Sequence, residues 1–226
     1  MSLNIVEKID NLVAVKTVLI SVSDKTGLDS FVKDLIKVCP KVKILSTGGT
    51  FSALEKALGD KAGKNLQQVS EYTGQPEMQG GLVKTLDFKI YLGILSETYN
   101  EHHQDDLKRT SASAIDMVVV NLYPFKQTVS KGSVTPEEAR TNIDIGGPCM
   151  IRASSKNYLR VASVTNPADY SAIIAELSKN GGKTSLRLRL DLAKKAFKHT
   201  ADYDTAISAY LEPKSYEDIA KCYQLV

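Results

Sequence analysis

Histidine and cysteine are scarce in this chain, three of each in 226 residues. Cys39, Cys149 and Cys222 are odd in number and contain no CxxC pair, which argues against a disulfide framework or a zinc site. They read as buried or incidental thiols, and no Cys/His pairing points to thiol catalysis. His102 and His103 read as solvated, and His199 as a helix-packing or interface residue rather than a base. No apolar run approaches the roughly 20 residues needed to span a bilayer. The segment Met1 to Lys16 carries acids, Asn and Lys where a signal peptide needs an apolar core, so the expectation is a cytoplasmic protein without a membrane partner. Long runs of one charge are missing too: 29 basic and 26 acidic residues leave a net charge of +3, spread along the chain. That excludes an obvious nucleic-acid face and leaves room for a small anionic ligand. No GxGxxG or GxxxxGK[ST] pattern occurs, which argues against dinucleotides and triphosphates.

What is present is ordinary globular material, 42% hydrophobic and 24% charged, long enough to bury one substantial core. Val15 to Val22 is an apolar, β-branched run suited to a buried parallel strand, and Thr26-Gly27 opens an amphipathic helix from Leu28 to Val38. Val42 to Leu45 reads as a second strand, Ser46 to Thr50 as a turn, Phe51 to Leu58 as a helix and Leu66 to Val69 as a third strand. A glycine-punctuated stretch from Glu71 to Leu86 precedes a strand expected over Ile90 to Leu95. Glu97 to Thr110 is a charged helix or loop. Ile115 to Leu122 is the most strand-like run, followed by a short strand at Val161 to Val164. A helix from Ala168 to Leu177 ends at Gly181-Gly182, where glycine permits a left-handed cap. Ser185 to Tyr210 is helical throughout. The alternation predicts one α/β domain over 1–226, with a mostly parallel sheet within about 15–165 and a helical region over about 167–226.

In open parallel sheets ligands bind beyond the carboxyl ends of the strands. After the first strand, Ser21-Val-Ser-Asp-Lys-Thr-Gly27 offers hydroxyls, backbone N–H groups and Lys25 to a phosphate, or else Ser23 or Asp24 caps the helix. After the second, Ser46-Thr-Gly-Gly-Thr50 repeats that chemistry, the glycines letting a ligand approach the backbone and Thr47 and Thr50 supplying hydroxyls. Two such loops at adjacent strand ends favour a monophosphate. Lys84, beside Gly80-Gly81, is a phosphate clamp, an acid–base group or a surface lysine. Tyr123 precedes a proline and is biased away from helix, fitting a strand end that points into a crevice, although a core tyrosine is the alternative. Asp144 reads as a proton acceptor or a cap, Lys156 as a cation or a solvated helix residue, and Gly146-Gly147 as a helix start facing the site.

These segments resemble a known family. Ser21 to Gly27, Ser46 to Thr50, Val69-Ser-Glu-Tyr-Thr-Gly74, Pro76-Glu-Met78, Gly80-Gly81 with Val83-Lys-Thr-Leu86, Gly93-Ile-Leu95, Asn121-Leu-Tyr-Pro-Phe125, Ile143-Asp-Ile-Gly-Gly147, Lys156-Asn157 and Phe197-Lys-His-Thr-Ala201 with Tyr203-Asp204 are similar to the inosine monophosphate cyclohydrolase domain of the bifunctional purine biosynthesis enzymes. The resemblance runs from about residue 15 to about residue 211. It implies a methylglyoxal-synthase-like, Rossmann-like three-layer α/β fold with a C-terminal helical segment. It also implies closure of 5-formamidoimidazole-4-carboxamide ribonucleotide (FAICAR) to inosine monophosphate (IMP) and water, with no metal or organic cofactor. By that resemblance Lys84, Tyr123, Asp144 and Lys156 match catalytic groups. Ser23, Lys25, Thr26, Gly27, Thr47, Gly48, Gly49, Thr50, Thr85, Asn121 and Gly146 match substrate- and phosphate-binding positions. A homodimer is implied as well, with the apolar C-terminal helices as its interface.

Some positions depart from the family pattern. Leu82 stands where Arg is usual, Asp87-Phe88 where His-Pro is usual, and a nearby histidine is missing, with Tyr91 close to its place. An acid in place of a cation near an anion site weakens attraction for phosphate. The formyltransferase portion of the bifunctional enzymes has no counterpart in these residues. The expectation is a stand-alone cyclohydrolase served by a separate formyltransferase chain, or a fragment. The alternative function is a sensor of phosphorylated or nucleotide effectors on the same fold, which has no use for Tyr123, Asp144 and Lys156 together.

Overall fold

The structure, a computed structural model, describes residues 4–76, 83–130, 132 and 134–226. The family-like positions 77, 78, 80 and 81, and the Leu82 departure, lie outside the described residues. The chain opens with a short strand, β1 (Leu12–Ala14), followed by β2 (Thr17–Val22) and the helix α1 (Leu28–Val38). β3 (Lys43–Ser46) leads into α2 (Gly48–Leu58), and after a single 3-10 turn and α3 (Ala62–Asn65) comes β4 (Leu66–Gln68) with α4 (Val69–Thr73). Next are α5 (Phe88–Leu95), α6 (Glu101–Arg109), β5 (Met117–Asn121), α7 (Phe125–Val129) and α8 (Pro136–Thr141). α9 (Gly146–Lys156), β6 (Ala162–Val164), α10 (Tyr170–Lys179), β7 (Lys183–Ser185), α11 (Leu186–Leu211) and α12 (Tyr216–Ala220) complete the order.

The main sheet has five strands in the order β4-β3-β2-β5-β6, every pair parallel. β5 is buried at every position and β2 at every position but Ser21, as strands covered by helices on both faces must be. One face packs Val18, Ile20, Met117 and Val119 against α1, α2 and α10. The other packs Leu19, Val118, Val120 and Leu122 against α5, α7 and α9. The sheet is therefore the middle of three layers. β2 is the first strand in the sheet, with β3 on one side and β5 on the other, so the direction of winding reverses between β2 and β5. A crevice opens at the carboxyl ends of such a pair.

β1 and β7 pair antiparallel as a small second sheet that the sequence pattern does not reveal. Arg189 of α11, completely buried, ties this corner together by donating to the carbonyls of Asp10, Asn11, Tyr158, Leu159 and Thr184. At the opposite end of the sheet from the crevice, buried Arg160 pairs with Asp116 at 3.0 Å.

One element differs in kind from the sequence expectation. Ile90 to Leu95 is helical, part of α5, rather than a strand. Asp87 caps it, its side chain accepting from Lys89 N at 2.7 Å. Ile90 and Ile94 lie four apart on the buried face, whereas Leu95 is exposed, so burial follows the helical period. Asp87 thus spends its charge on a helix start. His103 is half-buried rather than solvated: its Nδ1 accepts from Glu97 N at 3.2 Å. The glycines of Ser46 to Thr50 belong to the first turn of α2 rather than to a preceding turn.

Candidate functional site

The predicted loops meet at the carboxyl ends of β3, β2 and β5. Asn121, the last residue of β5, holds the loop that follows β2: its Oδ1 accepts from Ser23 N at 2.7 Å and Asp24 N at 2.8 Å, while its Nδ2 donates to Asp24 O at 2.9 Å. Asp24 in turn accepts from Thr26 N, and the Thr26 hydroxyl and amide hold its carboxyl below the usual range. Gly27 adopts a left-handed φ of 69°, which turns the chain into α1. Lys25, Thr26 and Gly27 are exposed on this loop, and Lys25 Nζ reaches the carbonyl of Val22 at 3.4 Å. Asn121 is therefore a brace for the loop rather than a group free to bind.

The start of α2 is open. Thr47 occupies the N-cap position with no side-chain cap bond. A Cβ placed on Gly49 would meet nothing within 4 Å, and one placed on Gly48 would stand 3.0 Å from Lys84 Nζ. Uncapped N–H groups, clear space and an ammonium together suit an anion. Thr50 behaves differently: its hydroxyl donates to Val22 O and accepts from Val22 N, both at 3.0 Å. That hydroxyl ties α2 to β2 and has no proton left for a ligand.

Thr85, next to Lys84, is buried against the start of α9, where a Cβ on Gly146 would lie 3.0 Å from its Oγ1. Lys84 and Thr85 thus link two helix N-termini. Asp144 sits just ahead of α9, and its Oδ1 accepts from Gly147 N at 2.9 Å. Asp144 thus satisfies an N–H of the first turn of α9 from one residue ahead of the N-cap position, which Ile145 occupies, and its second oxygen is not used in that bond. Burial pushes its carboxyl above the ordinary value, opposed by the Gly147 N–H. Tyr123, 58% exposed, stands two residues beyond β5.

Lys156 does not join this group within one copy of the chain. It is the last residue of α9, which opens at Gly146. Eleven residues of helix measure about 16 Å, and the chain beyond it enters the amino end of β6. There Ala162 N bonds to Asp116 O, next to the start of β5. Lys156 is exposed at the wrong edge of the sheet.

The tertiary structure adds a wall that the strand-end logic missed. A cleft of about 540 Å³ beside Tyr123 is lined by Ser23, Asn121 and Thr165 on the sheet side and by His199, Asp202 and Tyr203 from α11. His199 is half-buried, its Nε2 has no hydrogen-bond partner among the described residues, and burial holds its pKa down. Only the polar residues of Phe197 to Asp204, awkward within an otherwise amphipathic helix, could have signalled this. Tyr91 of α5 is another neighbour. Its buried hydroxyl has no hydrogen-bond partner among the described residues by distance and angle, and burial, then Cys149 and Asp144, hold it above the usual phenol range. Among the described residues no group of three or more His, Cys, Asp or Glu is placed to hold a metal. No helix among them is long and apolar enough to cross a membrane.

Comparison with known proteins gives matching results. Residues 27–149 match the MGS-like domain family and residues 154–225 the AICARFT/IMPCHase bienzyme family. The chain is 47% identical over 197 residues to the bifunctional purine biosynthesis protein PurH of Bacillus subtilis, covering 87% of this chain and 37% of that protein. To its counterpart in Acetivibrio thermocellus it is 47% identical over 204 residues, covering 90% and 38%. The chain thus spans little more than a third of the length of these relatives. A solved structure, described as the crystal structure of ForH, superposes with a TM-score of 0.69 at 28% identity, covering 85% of this chain and 96% of that one. With more than half of its residues matched by the MGS-like model, the chain belongs to the MGS-like domain family, and its residues 154–225 are similar to the AICARFT/IMPCHase bienzyme family.

Proposed function

We propose that the chain is an IMP cyclohydrolase of purine biosynthesis, closing FAICAR to IMP with release of water. The observation that carries this reading is the placement of Lys84 against the start of α2 and of its neighbour Thr85 against the start of α9, which Asp144 bonds, at the point where the sheet reverses its winding.

In the reaction the carboxamide nitrogen adds to the formyl carbon, and the adduct loses water. An amide nitrogen is a weak nucleophile, so orientation and removal of its proton during attack supply most of the acceleration. The ribose phosphate binds over the open start of α2, within the field of Lys84. Asp144 accepts the amide proton, and its raised pKa makes it a stronger base than an exposed carboxylate. The formyl oxygen gains negative charge as the bond forms, and the Tyr123 hydroxyl and Lys84 ammonium stabilise it. Lys84 then protonates that oxygen to a hydroxyl, the proton held by Asp144 carries the hydroxyl off as water as the C–O bond breaks, and the formamide nitrogen gives its proton to Lys84 as the ring C=N bond forms, which restores both groups. Lys156 takes no step within the same copy.

The test is to add FAICAR to the purified protein and follow IMP formation by ultraviolet absorbance, with Lys84→Ala and Asp144→Asn alongside. Turnover that collapses in both variants supports the reading. Nucleotide binding without turnover refutes it in favour of a sensor.

A further inference from the structure

The stretch Phe197 to Asp204 lies in the middle of α11, about sixty residues beyond Asp144 and further still from Tyr123 and Lys84, and the proposed chemistry does not use it. Tyr203 nevertheless reaches the site directly. Its Oη accepts from Asp144 N at 2.7 Å and donates towards Asn142 O at 3.4 Å. The residue is 8% exposed, and its ring meets Phe125 edge-on with 6.2 Å between centroids. Phe125 opens α7, just beyond Tyr123. One side chain from α11 therefore grips both the loop that carries Asp144 and the segment that follows Tyr123.

Residues 142–145 join α8 to α9 without regular structure. On the carboxylate side, among the described residues, Asp144 accepts a hydrogen bond from Gly147 N. Its backbone is fixed by Tyr203. Without that hydroxyl the Asp144 N–H loses its acceptor, and the loop can swing towards solvent.

We infer that Tyr203 is a positioning residue: through its hydroxyl, α11 sets the place and burial of the Asp144 carboxylate. This rests on the reading of Asp144 as the proton acceptor. Tyr203 bonds to the loop that carries Asp144 and, among the described residues, makes no such bond to α2, where the phosphate binds, so loss of the hydroxyl acts on the chemical step. A released Asp144 is also more exposed and titrates nearer to an ordinary carboxyl.

The test uses Tyr203→Phe, which keeps the ring and its contact with Phe125, together with Asp144→Asn and the double variant, assayed with FAICAR between pH 5 and pH 9. The expected result is a kcat at least tenfold below the parent with KM changed less than threefold, and an acid limb moved to lower pH. The double variant is expected to be no slower than Asp144→Asn alone, because groups that act as a unit are not additive. A kcat for Tyr203→Phe within twofold of the parent, with an unmoved acid limb, overturns the inference. So does a further tenfold loss in the double variant. If Tyr203→Phe folds poorly, titration of the Asp144 carboxyl by carbon NMR in the surviving folded fraction decides, an unchanged midpoint counting against the proposal. Should Asp144→Asn itself turn over normally, the proposed role of Asp144 fails first. Full loss in Asp144→Asn beside a normal Tyr203→Phe sinks only the positioning role.

Discussion

Gly147→Ala adds a single methyl beside Asp144, and the structure sets the size of its effect. A Cβ there would lie 2.4 Å from Asp144 Oδ2 and 2.6 Å from Leu122 Cδ2. Comfortable contacts need about 3.5 Å, so the carboxylate must retreat by about 1 Å. Leu122 is buried in the core beneath the sheet and has little room to yield. Overpacking of this kind costs about 1–3 kcal/mol. Replacing a helical glycine by alanine returns about 1 kcal/mol. The net loss is therefore about 0–2 kcal/mol, a fall in Tm of at most about 8 °C for a chain of this size. The catalytic effect is larger, since a misplacement of about 1 Å can cost about 10²-fold in rate. The assay is IMP formation under saturating FAICAR beside a thermal melt, with Gly63→Ala as control because a Cβ there meets nothing within 4 Å. The expected outcome is a folded Gly147→Ala protein with kcat about a hundredfold down and an unaffected control. A folded Gly147→Ala protein with parental kcat would refute the claim that Asp144 must stay where the structure puts it.

Four further outcomes follow from the same geometry. Asn121→Ala removes three hydrogen bonds from the loop after β2. At about 1 kcal/mol each, denaturant melts should show a loss of about 3 kcal/mol, and initial rates a KM raised about tenfold. Tyr123→Phe touches an exposed side chain, so stability should stay within about 0.5 kcal/mol. Its kcat should fall about 10²-fold if the hydroxyl meets the developing oxyanion, and a fall of less than twofold removes it from the mechanism. Asp144 has a raised folded pKa, so the folded state holds its proton longer than the unfolded state. The resulting stability is present below the ordinary carboxyl value and lost as pH rises to the raised one. Asp144→Asn cannot ionise and should melt at or above the parent near neutral pH while losing turnover; a clearly lower Tm contradicts this. Arg160→Met leaves Asp116 buried and unpaired, which costs about 3–5 kcal/mol. The folded fraction should keep its parental KM, because Arg160 lies at the opposite end of the sheet.

The local signals in the sequence were strong where one chemistry dominates. The β-branched runs of β2 and β5, the bounds Leu28 to Val38 of α1, and the long helix from Ser185 follow from periodicity and caps. The glycine and hydroxyl loops after the strands, and the resemblance they carry, were legible for the same reason: strand ends are where backbone N–H groups face a ligand. Ile90 to Leu95 misled because an apolar run with β-branched residues fits either period, and only one-sided burial behind the Asp87 cap makes it a helix.

Partnership at a distance is what only the folded chain could decide. Nothing in the order of residues says that β2 takes β3 on one side and β5 on the other, yet that placement brings Ser23 to Asn121 and creates the crevice. Lys156 and Asp144 are near in sequence, but a rigid helix of eleven residues turns nearness along the chain into separation in space. Tyr203 is the reverse case, remote in sequence and bonded to Asp144 because α11 packs on α9. Sequence thus fixed which chemical groups are present and what local structure each prefers. Packing of two cores against one sheet determined which of those groups meet, because burial of apolar surface has no direction of its own and takes its geometry from the whole fold.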